Sequence, residues 1–107
     1  MWLPLLGLVL GLIIGISVAP VVPQEYSRYT AVAILATLDA ILGAARADLN
    51  QTYNTRIFWS GFIANSLLAI GLTFLGDRLG VDLFLAAVVA FGVRLFNNLA
   101  IIRRHFL

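Results

Sequence analysis

The chain has 107 residues, of which 62% are hydrophobic and 11% charged, with a formal net charge of +2. Soluble domains carry about 25% charged residues, so this composition excludes a water-facing surface and indicates one small integral membrane domain, residues 1–107. The scattered arginines do not indicate a nucleic-acid partner, and without cysteine and with a single histidine, His105, the sequence predicts no metal site, no cofactor and no catalytic residue.

The sequence divides into four apolar stretches, each near the ~20 residues that a bilayer-spanning helix needs. Pro20 and Pro23 end the first stretch, the polar segment Asp48–Arg56 ends the second, and the turn Gly76–Gly80 ends the third. The predicted helices are 2–18, 29–46, 57–75 and 82–102. Short connections make sequential helices antiparallel, so we predict an all-α fold of four transmembrane helices. Two alternatives stay open for the first stretch: a cleaved signal peptide, or a helix that lies in the membrane interface.

The arginines predict the orientation of the helices, because cytoplasmic loops are enriched in basic residues. With both termini in the cytoplasm, only Arg28 and Arg78 lie outside among the arginines that flank the helices. The arginines predicted to mark the inner membrane edge are Arg46, Arg56, Arg103 and Arg104. We therefore expect both termini on the cytoplasmic side.

Three polar residues lie inside the apolar stretches, where polar side chains are costly and need partners. Counted from the inner-edge arginines at 1.5 Å per residue, Asp39, Asn65 and Arg94 lie about 10 to 13 Å deep. Asn97 lies closer to the cytoplasm and can join the same network. The sequence therefore predicts an intramembrane polar layer of Asp39, Asn65, Arg94 and Asn97.

Helical spacing places two of these residues on faces that small side chains also occupy. Asp39 shares its face with Val32, Ala36, Gly43 and Arg46, and Arg94 shares its face with Leu83, Ala87, Ala90, Asn97 and Ile101. Small residues allow close helix contact, so we expect an Asp39–Arg94 ion pair with Asn65 beside it. The layer either fixes helix register or forms a proton-coupled, ion-coupled or substrate site.

The first helix carries a different signal, a face of glycines at four-residue spacing: Gly7, Gly11 and Gly15. Such a face permits close helix packing. It either packs inside the chain or forms a seam with a second copy or another membrane protein, and both interpretations stay open.

The chain resembles the small basic protein family of bacterial membrane proteins along nearly its whole length. The stretches that carry the resemblance are Met1–Gly7, Pro23–Tyr29, Ala36–Asp39, Gly61–Asn65, Gly76–Leu83, Ala86–Arg94 and Asn98–Arg104. The resemblance implies a bacterial plasma-membrane protein of unknown biochemical function, from a family often encoded near cell-division genes in Gram-positive bacteria. It supplies no catalytic residue.

Two classes of function fit these features. The first is a non-enzymatic scaffold or subunit of a membrane complex, linked to the cell envelope or division, whose partners are the bilayer and further copies or other membrane proteins. The alternative is a small dimeric transporter or channel that uses Asp39, Asn65 and Arg94. Small multidrug-resistance transporters are similar in length and helix number, but their first helix carries a glutamate that is absent here. No nucleophile–base pair accompanies Asp39, so we expect no enzyme.

Overall fold

The computed structural model describes residues 2–107, apart from the side chains of Trp2 and Pro4. Met1, the first residue of the predicted domain, lies outside the described residues. The helices are α1 (Trp2–Val18), α2 (Ser27–Leu49), α3 (Thr55–Leu79) and α4 (Leu83–Phe106), with short 3-10 turns at Ala19–Val21 and Gln24–Tyr26. Residues 2–107 contain no β-strand, so the prediction of an all-helical fold is confirmed. α1 has the predicted bounds, α2 and α3 extend a few residues beyond theirs at both ends, and α4 begins one residue later and ends four residues later than predicted.

Three of the described helical segments are long and apolar enough to cross a membrane, namely Gln24–Leu49, Thr55–Leu79 and Leu83–Phe106. The apolar segment near the N-terminus, Leu5–Val21, is shorter. Large apolar side chains such as Leu67, Val89 and Phe96 are exposed on the outer surfaces of these helices. Contiguous apolar surface of this kind indicates contact with lipid or with other membrane proteins.

Local side-chain chemistry explains where α3 begins. Asn54 is its N-cap, and the Asn54 side-chain oxygen accepts hydrogen bonds from the backbone N–H groups of Arg56 at 2.9 Å and Ile57 at 3.2 Å. These bonds satisfy backbone donors that have no partner within the helix. The polar segment between α2 and α3 therefore ends in a defined helix start.

The turn between α3 and α4 depends on two glycines. Gly80 has φ +72° and its N–H donates to the Gly76 carbonyl at 2.9 Å, a left-handed helix end that glycine adopts without strain. A Cβ atom at Gly76 would lie 2.6 Å from the Val81 carbonyl oxygen. Only glycine fits at that position, and the chain therefore reverses tightly enough for α3 and α4 to pack as neighbours.

α2 is the central helix, packed against each of the other three helices. A small core joins α2, α3 and α4, made of Val32, Ala36, Ala69, Ala87 and Phe91. α2 and α4 run in the same direction, because their contacts follow the same order along both helices. From the α3–α4 turn to the α2–α3 loop, these contacts are Arg28–Asp82, Asp39–Arg94 and Arg46–Asn98.

α1 packs mainly against α2, and it uses a face other than the glycine face. Its more buried residues are Leu5, Leu8, Leu12 and Gly15. Gly7 and Gly11 are exposed, and a Cβ atom at either would meet nothing within 4 Å. Leucines at helical spacing bury more apolar surface than glycines do, so they set the rotation of α1. Of the predicted packing glycines, only Gly15 faces α2, where an added Cβ atom would lie 4.0 Å from Cγ1 of Ile34.

Candidate functional site

The structure brings Asp39 and Arg94 together near the midpoints of α2 and α4. Arg94 Nε lies 3.3 Å from Asp39 Oδ1, and the two side chains are 52% and 4% exposed, respectively. Asp39 Oδ1 is buried and has no hydrogen-bond partner among the described residues. The two atoms are close enough for an ion pair, but their alignment does not meet the criteria for a hydrogen bond. Charge attraction, rather than a directional hydrogen bond, therefore joins Asp39 and Arg94.

Helical spacing on α2 explains why a carboxylate points into the bundle. Val32, Ala36 and Asp39 follow one another at intervals of four and three residues, and all three are buried. They therefore share one face of the helix. The alanines opposite, Ala69 on α3 and Ala87 on α4, are also buried, and their small size lets the helices approach closely. The close approach of the three helices thus buries the side chain of Asp39.

Asn65 lies beside this pair without bonding to it. It is half-buried on α3 and lines the same cleft as Asp39 and Arg94. Among the described residues, its amide makes no hydrogen bond to either side chain. Asn65 therefore adds a donor and an acceptor to the site rather than a fixed link in a network.

The fourth predicted member of the layer, Asn97, is wrongly placed by the sequence argument. Asn97 is exposed, whereas its neighbour Asn98 is 6% exposed and accepts a hydrogen bond from Arg46 Nη1 at 3.0 Å. Each residue turns an α-helix by 100°, and α4 buries Ala87, Phe91 and Asn98. The predicted face through Ala90 and Asn97 is rotated away from this buried face.

The predicted inner-edge arginines separate into two groups. Arg56, Arg103 and Arg104 are exposed at the end of the bundle that carries the α2–α3 loop. Arg46 is half-buried and bonds Asn98, close to the point where Gly43 lets the Asn98 amide approach α2. A sequence signal for this contact existed, because Ala87, Phe91 and Asn98 follow one another at intervals of four and seven residues and so place Asn98 on the buried face of α4.

A cleft of about 250 Å³ lies between α2 and α3, with Arg94 of α4 at one end. It reaches from Asp39 and Asn65 to the α2–α3 loop, where the hydroxyl of Tyr53 is buried without a partner among the described residues. Small residues account for much of its wall: Ala36, Ala40, Gly43, Ala44, Ala47 and Gly61. Because these side chains do not fill the space between the helices, one cleft extends from the polar layer to the loop.

A second, smaller crevice of about 110 Å³ lies between α3 and α4. Asn65 and Arg94 line both spaces. The Arg94 side chain therefore lies between the α2–α3 cleft and the α3–α4 crevice and contributes to the wall of each. A guanidinium in this position can bind carboxylate, phosphate or carbonyl oxygens.

A second polar cluster, which was not predicted from the sequence, lies at the opposite end of the bundle. Arg28 Nη1 donates to Asp77 Oδ1 at 3.3 Å and lies 4.0 Å from Asp82 Oδ1, and the Tyr29 hydroxyl donates to Asp77 Oδ2 at 3.4 Å. The sequence contained a signal for these contacts, because Arg28 and Arg78 are predicted at the same membrane edge and Asp77 precedes Arg78 in the Gly76–Gly80 turn. These contacts tie the start of α2 to the α3–α4 turn.

The chemistry that the polar layer supports is binding and positioning. Within the part of the chain that the structure describes, no group of three or more His, Cys, Asp or Glu side chains could hold a metal ion. The layer supplies a buried carboxylate, a half-exposed guanidinium and an amide beside an open cleft. Such groups can fix helix register or bind a polar group that enters the membrane region.

Comparison with known proteins adds the family. Residues 22–107 match the family described as "Protein of unknown function (DUF1290)". The chain is 56% identical over 107 residues to the "Small basic protein" of Bacillus subtilis (strain 168), covering 100% of this chain and 88% of the relative. It is also 36% identical over 100 residues to "Uncharacterized protein Rv1824" of Mycobacterium tuberculosis (strain ATCC 25618 / H37Rv), covering 92% of this chain and 83% of that protein.

No solved structure matches the chain. The family match covers all of α2, α3 and α4, and with them every residue of the two polar clusters. The match to the B. subtilis relative extends over the rest of the chain. The chain therefore belongs to the DUF1290 family, together with the small basic protein of B. subtilis.

Proposed function

We propose that this protein is a non-enzymatic subunit or scaffold of a bacterial plasma-membrane complex, with both termini in the cytoplasm. One observation carries the proposal: Arg94 lies near the midpoint of a membrane-spanning helix and is 52% exposed in the single chain. An arginine at that depth costs about 2.5 to 3.5 kcal/mol on insertion scales. Asp39 approaches only its Nε edge, so another membrane segment that covers the remaining nitrogens would stabilise the helix in the bilayer.

The open glycine face of α1 supports the same proposal. Among the described residues, nothing lies within 4 Å of a Cβ atom added at Gly7 or Gly11, and such faces commonly pack against a further helix in membrane proteins. A link to envelope or division machinery fits the family resemblance. The described residues form one small helical bundle, which fits a subunit that acts through contacts inside the membrane.

Affinity purification from the native host tests this proposal. The tagged chain is cross-linked in intact membranes and solubilised in mild detergent. Mass spectrometry then identifies the cross-linked proteins, and light scattering measures the mass of the complex. We expect a second copy or another membrane protein in stoichiometric amount. The Asp39→Leu/Arg94→Leu double variant removes both charges of the pair, so that neither is left unpaired in the bundle, and it should lose the partner. The Asp77→Asn variant in the other cluster should keep the partner. A lone monomer from cross-linked membranes would contradict the proposal.

A small transporter or channel is the second candidate, and the cleft favours it. About 250 Å³ of space leads from the α2–α3 loop to the buried Asp39, and membrane-embedded acids often mark ion or substrate pathways. Flux of protons, monovalent ions and small organic cations into proteoliposomes tests this function. Asp39→Asn and Arg94→Ala should each abolish flux while Asp77→Asn retains it. Absence of flux, or flux unchanged in both variants, would remove this candidate.

A further inference from the structure

The cleft between α2 and α3 has polar groups at both of its ends. Asp39, Asn65 and Arg94 lie at the inner end, and Ala47 and the exposed Thr52 lie at the end beside the α2–α3 loop. Along α2, Asp39 and Ala47 are about 12 Å apart at 1.5 Å per residue. The cleft, with a volume of about 250 Å³, therefore extends from the polar layer inside the membrane to a surface loop.

The polar groups that line the cleft lack hydrogen-bond partners. Neither carboxylate oxygen of Asp39 accepts a hydrogen bond from a described residue, although this side chain is only 4% exposed. At the loop end, the hydroxyl of Tyr53 is buried without a partner among the described residues. A carboxylate can only accept, and the backbone N–H groups around it are bonded within the helices. Burying such groups without hydrogen bonds is costly, so a donor that occupies the cleft would stabilise the fold.

The charges at the inner end favour a neutral occupant. Arg94 Nε lies 3.3 Å from Asp39 Oδ1, so the two formal charges cancel there. A cation bound to the carboxylate would lie beside the guanidinium, and an anion bound to the guanidinium would lie beside the carboxylate, each at short range from a like charge. Water is neutral and both donates and accepts. Each molecule takes about 30 Å³ in the liquid, so the cleft has room for several.

A second groove between the same two helices has different chemistry. It has a volume of about 320 Å³, and its walls are apolar except for Thr37 and Ser66. The Thr37 hydroxyl donates to the Ala33 carbonyl at 2.8 Å. The Ser66 hydroxyl is buried without a partner among the described residues, but a serine hydroxyl can rotate to bond a carbonyl one turn back in its own helix, which a carboxylate cannot do. We therefore expect lipid, and not water, in this groove.

Toward the α3–α4 turn, packed side chains close the bundle beyond the polar layer. Val32, Ala69 and Phe91 belong to the core that joins α2, α3 and α4. Thr73 is fully buried, and its hydroxyl donates to the Ala69 carbonyl at 2.9 Å. These four residues leave no unpartnered side-chain polar atom that would draw water further. Water that enters at the loop therefore stops at the polar layer.

We propose that the α2–α3 cleft is a water-filled inlet that opens at the α2–α3 loop and ends at Asp39, Asn65 and Arg94, so that the polar layer is hydrated from one side of the membrane only. Ionisable side chains within membrane spans commonly face water-filled cavities. This inference goes beyond both candidate functions, since hydration requires neither a partner nor transport. Arg94 also lines the α3–α4 crevice, and that side stays available to the partner proposed above.

Single cysteines can map water around α3, because the chain contains no cysteine of its own. A thiol reacts and binds metal ions as its thiolate, which apolar surroundings suppress. The probe is the silver ion, added in nitrate buffer to sealed membrane vesicles of each orientation. Cysteines that silver has not blocked are then counted with a maleimide after denaturation.

The two grooves supply variants that are matched in depth. Asn65→Cys lines the cleft, whereas Ile63→Cys and Leu67→Cys, two residues to either side on α3, line the apolar groove. We expect Asn65→Cys to react about tenfold faster or more than either control. Reaction should occur only from the face on which Ala47→Cys, beside the loop, reacts. Ala40→Cys, which lines the cleft and leaves the polar layer unchanged, should behave as Asn65→Cys does.

A second substitution obstructs the inlet. Gly61 lines the cleft, and a Cβ atom added there meets nothing within 4 Å, so Gly61→Leu has space to fill. It should slow the reaction of Asn65→Cys about tenfold. Gly71→Leu is the control, because Gly71 has an equally open Cβ position and does not line the cleft; it should leave the rate within about twofold.

Reaction of Asn65→Cys that is no faster than that of Ile63→Cys and Leu67→Cys would overturn the inlet. Equal reaction from both faces would also overturn it, because the water path would then cross the membrane. These three single cysteines decide the question even where Gly61→Leu fails to fold. A failed inlet leaves the copurified partner expected of a subunit unaffected, whereas a lone monomer with fast, one-sided reaction at Asn65→Cys would reject the subunit and support the inlet.

Discussion

The contact between Asp39 and Arg94 predicts a large coupling energy in a double-mutant cycle. At 3.3 Å and an effective dielectric constant of about 20, two unit charges attract by about 5 kcal/mol. Because about half of the Arg94 side chain is exposed, we reduce this figure to about 2 to 3 kcal/mol. Asp39→Asn and Arg94→Met should each lower the free energy of unfolding by roughly that amount, and the double variant should be more stable than the sum predicts.

The cluster at the other end of the bundle provides the matched control. Arg28 and Asp77 also lie 3.3 Å apart, but their side chains are 49% and 39% exposed. Exposed pairs of this kind contribute about 0.2 to 1 kcal/mol. Equilibrium unfolding in mixed detergent micelles, followed by circular dichroism, measures both cycles. If the coupling of Asp39 to Arg94 is no larger than that of Arg28 to Asp77, burial does not strengthen the pair and the reasoning is refuted.

Three further changes test the helix ends, each by the same unfolding measurement. Gly76→Ala should destabilise the fold by about 2 kcal/mol or more, because the added Cβ would overlap the Val81 carbonyl. Gly71→Ala is the control and should not destabilise the fold, because no described atom lies within 4 Å of its added Cβ. Equal losses of stability in the two variants would contradict this account of the turn. Asn54→Ala removes the cap of α3 and should cost about 1 kcal/mol, with Asn54→Asp retaining stability. Gln51 has φ 57°, so Gln51→Gly should stabilise the protein by up to about 1 kcal/mol, and a loss of stability would show that its side chain matters.

The helices and the Asp39–Arg94 contact could be predicted from the sequence because they depend on coarse signals. Apolar runs near 20 residues specify the spans, and prolines, glycines and polar segments specify where they end. The ion pair followed from depth together with the faces that Asp39 and Arg94 share with small residues, since opposite charges at the same level of closely packed parallel helices attract each other. A rotation error of one residue does not break that argument, because an arginine side chain is long enough to reach its partner.

Helix rotation was harder to predict, and Asn97 and the α1 glycines show why. In a soluble protein the apolar face marks the inside, but lipid-facing surfaces are as apolar as the interior. Asn97 and Asn98 differ by one 100° step, and the choice between them depends on how Ala87 and Phe91 pack. For α1, small size suggested a packing face, whereas contact area with α2 decided in favour of Leu8 and its neighbours.

The position of the cleft follows from how unevenly α3 is attached to α2. At the α3–α4 turn, Asp77 of α3 binds both Arg28 and Tyr29. Toward the α2–α3 loop, the polar contacts of α2 go to α4, through Arg94 and Asn98, and the described residues include no such bond from α2 to α3. Alanines and glycines line this half of the α2–α3 interface, and their small side chains leave the space open. The cleft thus lies in the half of the α2–α3 interface where the described side chains form no hydrogen bond or ion pair between these two helices.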